Sequence, residues 1–331
     1  MPSEEEILNR IFNISSESDF NALALAVFQY QYSHNEIYGM YVKSLKREVG
    51  SVTHYTEIPF LPIEFFKSHS ISSKPIENHT IRFSSSGTTG QITSTHYVYD
   101  IDVYKKSFLK AFELFYGQPQ DYCILALLPS YLERSGSSLV YMCDDLIKRS
   151  HHSLSGFYLH NINELTETLT KLKQTSQKTI LLGVTYALLD LADTGITLGD
   201  KVIVMETGGM KGKRKEMIKE EVHAELRQKF QVNTIHSEYG MTELLSQAYS
   251  RQEGLFECPP WMRVLVRDSN DPFLYREQGR AGGINVIDLA NLYSCSFIET
   301  KDLGKFHNTK AFEILGRFDN SDIRGCNLMI G

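Results

Sequence analysis

Thr179-Ile180-Leu181-Leu182-Gly183-Val184 is followed by a helical stretch, Tyr186 to Leu191, and then by a second apolar run, Lys201-Val202-Ile203-Val204-Met205. Short apolar runs rich in branched residues read as strands buried on both faces, and such strands separated by helices form parallel sheets. The alternation extends upstream. Val103 to Tyr116 reads as a helix, Tyr122 to Leu128 as a strand ending at Pro129, Ser137 to Arg149 as a helix, Gly156 to Leu159 as a strand and Ile162 to Gln174 as a helix. Downstream, Lys213 to Phe230 reads as a charged amphipathic helix, and Thr234-Ile235-His236 opens a further strand. This βαβα rhythm predicts an α/β fold of layered, largely parallel sheets covered by helices. Ligands in such sheets bind beyond the carboxyl ends of the strands. Thr207-Gly208-Gly209 and Ser237-Glu238-Tyr239-Gly240-Met241-Thr242-Glu243 each follow a strand directly.

Ahead of this region, Ser3-x-x-Glu6 is a capping box that starts a helix. A longer helical stretch is predicted from Asp19 to Lys46, with apolar residues at Leu23, Ala26, Val27, Tyr30, Tyr38, Tyr41 and Leu45. Ile58-Pro59-Phe60-Leu61-Pro62 is extended, because a residue before proline is pushed out of the α region, and a short helix over Ile63 to Lys67 follows. From Leu255 the texture changes to short strand-like pieces: Met262 to Val266, Gly283 to Ile287, Ser296 to Glu299 and Phe312 to Leu315. The expected division is therefore a helical N-terminus with a layered α/β core over 1–254, and a small β-rich subdomain over 255–331.

The bulk numbers exclude several classes. A hydrophobic fraction of 42% with 22% charged residues is that of a soluble globular protein. A net charge of −6 leaves no general basic field for nucleic acid or anionic lipid. The longest apolar runs, such as Cys123 to Leu128, are far too short for a membrane span. The acidic start, Met1-Pro2-Ser3-Glu4-Glu5-Glu6, is not a signal peptide. Cys123, Cys143, Cys258, Cys295 and Cys326 form no CxxC pair, which points to reduced thiols and a cytoplasmic location.

Phe83-Ser84-Ser85-Ser86-Gly87-Thr88-Thr89-Gly90 crowds hydroxyls and glycines between two β-type runs, Thr80 to Phe83 and Ser94 to Tyr99. Glycine lets backbone N–H groups converge and each hydroxyl adds a donor, so the stretch suits an anion such as phosphate. An ordinary Ser/Gly-rich hairpin turn has the same composition. Gly208-Gly209-Met210-Lys211-Gly212-Lys213-Arg214 is not a Walker loop: three residues separate Gly208 from Gly212, and Arg214 stands where Ser or Thr is required.

Four segments in order resemble one superfamily, the adenylate-forming enzymes that comprise acyl-CoA synthetases, luciferases and peptide-synthetase adenylation domains. Ser85-Ser86-Gly87-Thr88-Thr89-Gly90 resembles their phosphate loop, and Tyr239-Gly240-Met241-Thr242-Glu243 their second signature. Thr300-Lys301-Asp302-Leu303-Gly304 is similar to their TGDLG segment, and Gly316-Arg317-Phe318-Asp319-Asn320-Ser321-Asp322-Ile323-Arg324 to their GRxDDxIK hinge. Three departures stand out. Gln91-Ile92 replaces the usual lysine, Lys301 interrupts the threonine–aspartate pair, and the chain stops where a C-terminal lid domain usually follows, so that lid is expected to be absent. The shortened form resembles the acyl-protein synthetases of bacterial fatty-acid reductase systems of the bioluminescence type, which hold an acyl group on a cysteine near the C-terminus; here that is Cys326.

The resemblance implies ATP and Mg²⁺. Ser85, Ser86, Thr88 and Thr89, with the amides of Gly87 and Gly90, would donate to phosphates. Glu243 would hold Mg²⁺ and Thr242 would donate to the α-phosphate. Tyr239 would stack on adenine, in a pocket formed with Glu238, Gly240 and Met241, while Gly208 and Gly209 allow close backbone approach. Asp302 would accept from the ribose hydroxyls, and Arg317 would contact the ribose or phosphate side. Cys326 would take the acyl group as a thioester. The implied partners are a carboxylic, in particular fatty, acid and an acyl reductase or carrier protein. Two alternatives stay open: transfer of the acyl group to CoA or a carrier protein, and a nucleotide-binding scaffold of the same fold with impaired turnover.

Overall fold

The computed structural model describes residues 2–78, 80–85, 92–129, 133–134, 136–209, 213–215, 217–308 and 310–318. Helix α1 (Glu4–Ile11) begins at the predicted capping box: Ser3 Oγ accepts from Glu6 N at 3.2 Å, and Ser3 N donates to Glu6 Oε2 at 2.7 Å. The helix predicted over 19–46 is two helices, α2 (Glu17–His34) and α3 (Glu36–Ser44). Asn35 breaks it. Its backbone leaves the α region (φ −101°, ψ 103°), its side-chain oxygen accepts from Tyr38 N at 3.0 Å, and its amide donates to the Ser294 carbonyl at 2.9 Å. Strand β1 (Leu61–Pro62) and helix α4 (Phe65–Ser68) follow.

The next stretch holds β2 (Ile81–Ser84), β3 (Thr95–Val98), α5 (Ile101–Tyr116), β4 (Tyr122–Leu127), α6 (Ser138–Ser150), β5 (Gly156–Phe157) and α7 (Ile162–Lys173). It continues through β6 (Lys178–Val184), α8 (Thr185–Ala192), β7 (Val202–Thr207), α9 (Lys219–Phe230), β8 (Ile235–Tyr239), β9 (Ala248–Ser250) and β10 (Leu255–Glu257). Four strands close the described chain: β11 (Met262–Arg267), β12 (Gly282–Asp288), β13 (Phe297–Phe306) and β14 (Ala311–Arg317). The chain divides into two compact units, Ile81–Pro259 and Met1–Thr80 together with Pro260–Gly331.

In the unit 81–259 the strands run in the order β10-β9-β8-β7-β6-β4-β5. From β8 to β5 every pairing is parallel, as the apolar runs predict, and β9 and β10 extend the sheet antiparallel. All of β4 is buried, as is β6 after Lys178. Gly183 lies where these layers meet: a Cβ there would sit 2.9 Å from Leu127 Cβ and 3.0 Å from Leu188 Cγ. Helix α9 starts at Lys219, six positions later than the charge pattern predicts. Arg214 is instead drawn to the end of α8, donating to Asp190 Oδ1 at 2.8 Å and Asp193 Oδ2 at 2.6 Å. Strands β2 and β3 form a separate antiparallel hairpin, pairing Phe83 with His96 and Ser84 with Thr95.

The other unit is an antiparallel sheet, β11-β12-β13-β14, with β1 parallel to β13. The N-terminal helices belong to it. Gln31, wholly buried on α2, donates to the carbonyls of Asn291 (3.0 Å) and Leu292 (2.9 Å) and accepts from Ser296 N at 3.0 Å. Glu4 accepts from Lys74 Nζ (2.7 Å), Tyr30 Oη (2.9 Å) and Tyr293 Oη (2.8 Å). Residues 1–80 therefore group with the β-rich segment, whereas the sequence-based division at 254/255 placed them with the α/β core. Among the described residues, no helix is long and apolar enough to cross a membrane.

Candidate active site

Parallel strands β7 and β8 end side by side, with Glu206 registered against Ser237 and Thr207 against Glu238. Their carboxyl ends lead into the two segments singled out above, Gly208-Gly209 and Gly240 to Glu243. Both glutamates are buried. Burial alone would raise Glu206, but the charge of Lys219 and hydrogen bonds from His223, Lys219 and Ser237 outweigh it and hold the carboxyl down to about 2. Lys219 Nζ donates to Glu206 Oε1 at 2.5 Å, and Thr185 Oγ1 donates to Oε2 at 3.1 Å. Lys219 acts on Glu238 only as a smaller, more distant charge. Burial pushes its carboxyl up to about 7, against a hydrogen bond from Thr207, and the neighbouring Glu206 adds to the rise. Two carboxylates on adjacent strands are thus held in opposite protonation states between about pH 2 and about pH 7, one ionised and one protonated.

Gly240 is shaped by this pair: a Cβ there would lie 2.5 Å from Glu238 Oε1. Gly208 adopts φ +72°, which glycine takes without the steric cost of a side chain, and both Gly208 and Gly209 are exposed. Tyr239 is buried, with its ring edge-on to Phe256 at 5.8 Å. Thr242 and Met241 are half-buried, and the Glu243 carboxylate is buried. Among the described residues no cluster of three or more metal-ligating side chains occurs. A single carboxylate still suits Mg²⁺, which is commonly held by one or two carboxylates with phosphate and water completing the shell.

The β2–β3 hairpin meets this turn. Ser85 N donates to the Ser94 carbonyl at 3.1 Å, and Ser94 N donates to Ser85 Oγ at 3.0 Å, closing the base of the loop. A serine hydroxyl that accepts in this way can donate as well. His96, opposite Phe83 and fully buried, reaches the Thr242 carbonyl through Nδ1 at 2.8 Å. Ser107 and Ser246 pair their hydroxyls at 3.0 Å, fixing the chain just past Glu243 to α5. Ser86, Gly87, Thr88, Thr89, Gly90 and Cys326 lie outside the described residues.

Asp302 and Arg317 lie in the other unit, directly opposite each other on β13 and β14, with Arg317 Nε 3.5 Å from Asp302 Oδ1. Thr300 Oγ1 accepts from Asp302 N at 3.1 Å and donates to the Ile284 carbonyl at 2.8 Å. The buried Arg267 guanidinium donates to the Thr300 carbonyl at 2.8 Å and fills the space over Gly283, where a Cβ would meet its Cζ at 2.4 Å.

The sequence reading passed over His96, Glu206, Lys219 and Thr185. His96 had a signal in the strand alternation that puts Phe83, His96 and Val98 on one face; the others belong to no motif. His236, the residue before Ser237 on β8, meets Tyr116 Oη at 3.2 Å, and burial, with Arg251 and His223 nearby, pushes it down to about 4. Burial pushes the thiols of Cys123 and Cys295 up to about 11 and about 12, and that of Cys143 higher still, so none of the three is a ready nucleophile.

The layered α/β architecture has counterparts among solved structures. Particular structures share it. 2-Hydroxyisobutyryl-CoA ligase, solved in an open conformation with 2-HIB-AMP and CoA, matches with a TM-score of 0.67 at 12% identity, covering 100% of this chain and 85% of that one. The same ligase in its postadenylation state with 2-HIB-AMP gives 0.68 at 12% identity over 96% and 72%. MatB from Rhodopseudomonas palustris, solved with ATP, gives 0.52 at 18% identity over 71% and 47%, so the chain spans about half of that protein's length. At these identities the likeness is one of fold. No family model and no curated protein sequence matches the chain.

Proposed function

We propose that the protein activates a carboxylic acid with ATP. A carboxylate oxygen attacks the α-phosphorus, the bond from that phosphorus to the bridging oxygen breaks, and pyrophosphate leaves an acyl-adenylate behind. The observation that carries this reading is the meeting of the Ser85 hairpin with the Tyr239–Glu243 turn, through His96, at the carboxyl ends of β7 and β8. It is supported by the fold shared with a ligase solved with an acyl-adenylate.

Ser85 donates its hydroxyl proton to phosphate and Thr242 donates to the α-phosphate. Gly208 and Gly209 let backbone approach the nucleotide beside Tyr239, and Asp302 with Arg317 takes the ribose-side role that the resemblance implies. Mg²⁺, held at Glu243, supplies charge neutralisation for the phosphates when bound. In the second stage the Cys326 thiolate attacks the anhydride carbonyl, AMP leaves, and the acyl group, in the favoured case a fatty acyl chain, rests as a thioester for a reductase or carrier protein. A second acceptor, CoA, is favoured by the presence of CoA with one of the ligases of this fold.

Pyrophosphate release measured over a panel of acids tests the first stage. Release is expected with at least one acid, and Glu243→Gln is expected to lower it about a hundredfold. ATP binding without release for any acid would leave a nucleotide-binding scaffold. Hydroxylamine-sensitive acyl labelling that disappears in Cys326→Ser supports the thiol carrier, and labelling that survives the substitution rejects it. Acyl-CoA formed on adding CoA identifies the second acceptor.

A further inference from the structure

His96 belongs to neither of the two segments it joins. It follows the Ser/Gly-rich stretch on β3, and its acceptor is 146 residues away in the Tyr-Gly-Met-Thr-Glu turn. A carbonyl oxygen can only accept, so the 2.8 Å contact requires a proton on Nδ1 and fixes that tautomer. The imidazole is wholly buried, and an N–H in such a position is strongly disfavoured without an acceptor. Its place in the hairpin is set from two sides. Cross-strand register puts it opposite Phe83, whose ring packs on Tyr104 at 5.6 Å and Tyr141 at 5.7 Å. Two positions earlier, the paired bonds between Ser85 and Ser94 close the loop base.

The far end of the bond matters as much. No cis peptide occurs among the described residues. In a planar trans peptide, holding the Thr242 carbonyl also sets the Glu243 N–H on the opposite edge and the positions of both flanking Cα atoms. One hydrogen bond therefore orients Thr242 and Glu243 together, relative to the strand that carries Ser85 into its loop.

We infer that His96 is a positioning residue of this site: its Nδ1–H, donated to the Thr242 carbonyl, registers the Tyr239–Glu243 turn against the Ser85 hairpin. The consequence for turnover rests on the adenylation reading above; the consequence for the turn itself does not. His96 touches no reacting atom, so its loss acts through the placement of Thr242 and Glu243. Misplacement on the scale of an ångström costs about a hundredfold in rate.

The test uses the full chain and two substitutions. Asparagine places an amide N–H near the Nδ1 position, whereas glutamine places one near Nε2. His96→Asn is expected to keep pyrophosphate release within about threefold of the parent, a spread typical of one neutral hydrogen bond made slightly worse. His96→Gln is expected to lower kcat roughly ten- to a hundredfold with a smaller change in KM for ATP. Hydrogen exchange of the 240–247 backbone in the free protein is read alongside, with slow exchange expected in the parent and His96→Asn and faster exchange in His96→Gln. Equal exchange in the two variants overturns the inference, whether or not the protein turns over. The expected exchange pattern without pyrophosphate release for any acid upholds the inference and rejects the adenylation reading. Should both variants unfold, ¹⁵N spectra of the parent decide: an Nδ1–H tautomer at His96 supports the assignment, and an Nε2–H tautomer overturns it.

Discussion

Thr207 Oγ1 donates to Glu238 Oε2 at 2.5 Å across two parallel strands, and the preceding residue of β7, Glu206, is the carboxylate that has a lysine. The two glutamates therefore contribute to stability with opposite signs. Glu238, pushed up to about 7 by burial, keeps its proton in the folded protein at pH values where the unfolded chain, near 4.5, has lost it. The folded state binds more protons in that window, so stability falls as pH rises from about 4.5 to about 7. Glu206, held down to about 2, stabilises the protein above 4.5 and loses that contribution as pH falls towards 2. Chemical denaturation between pH 5 and 8 should show a decline on the order of 3 kcal/mol from Glu238. Glu238→Gln should flatten it; an unchanged slope in that variant would place its origin elsewhere.

Lys219 is the cation that holds Glu206 ionised, at 2.5 Å, while its ammonium also lies 4.9 Å over the Phe256 ring. Removing it leaves a buried carboxylate without its counter-charge. Lys219→Met should cost about 3 kcal/mol, and adding Glu206→Gln should recover part of that loss, because the uncompensated charge is then gone. Urea unfolding of the two single variants and the double variant measures this. Strict additivity would contradict the pairing.

Gly240→Ala brings a Cβ to 2.5 Å from Glu238 Oε1. The carboxylate must move or the turn must shift, at about 1–3 kcal/mol. Urea unfolding should show a smaller penalty for Gly240→Ala in a Glu238→Ala background than in the parent, and an equal penalty in both would trace the loss to the backbone rather than to the carboxylate.

Gly208→Ala should destabilise the protein by about 1 kcal/mol because of the positive φ, and Gly208→Asn by less, since asparagine tolerates that region better. Thermal melting separates them. A larger loss of nucleotide affinity in Gly208→Asn than in Gly208→Ala would mean that the added side chain, rather than the conformation, obstructs the ligand.

The parallel core was legible because β4, β6 and β7 write themselves as short apolar runs whose neighbours in the sheet are close in sequence. The break between α2 and α3 was not. Apolar periodicity continues through Asn35, and the contact that fixes the break reaches Ser294. The delayed start of α9 had the same origin, with Arg214 held by two aspartates of a different helical segment. At the site, the glycine-rich and Tyr-Gly segments were readable as motifs. The buried groups that orient them were not: Glu206, Lys219 and His96 act through cross-strand register and a contact 146 residues long.

Gln31 on α2 bonds to residues 291, 292 and 296, while a separate compact unit, Ile81–Pro259, occupies the chain between. During synthesis α2 leaves the ribosome some ~230 residues before β11 exists. At about 5–20 residues per second, its apolar face, with Phe20, Leu23, Val27 and Phe28, waits roughly 10–45 s for a sheet to cover it. The inserted unit has all its strands in hand by residue 257 and is free to fold first. Nascent chains stalled before β11 should therefore expose those N-terminal helices to chaperones or proteases, a vulnerability that lasts until translation reaches the final four strands.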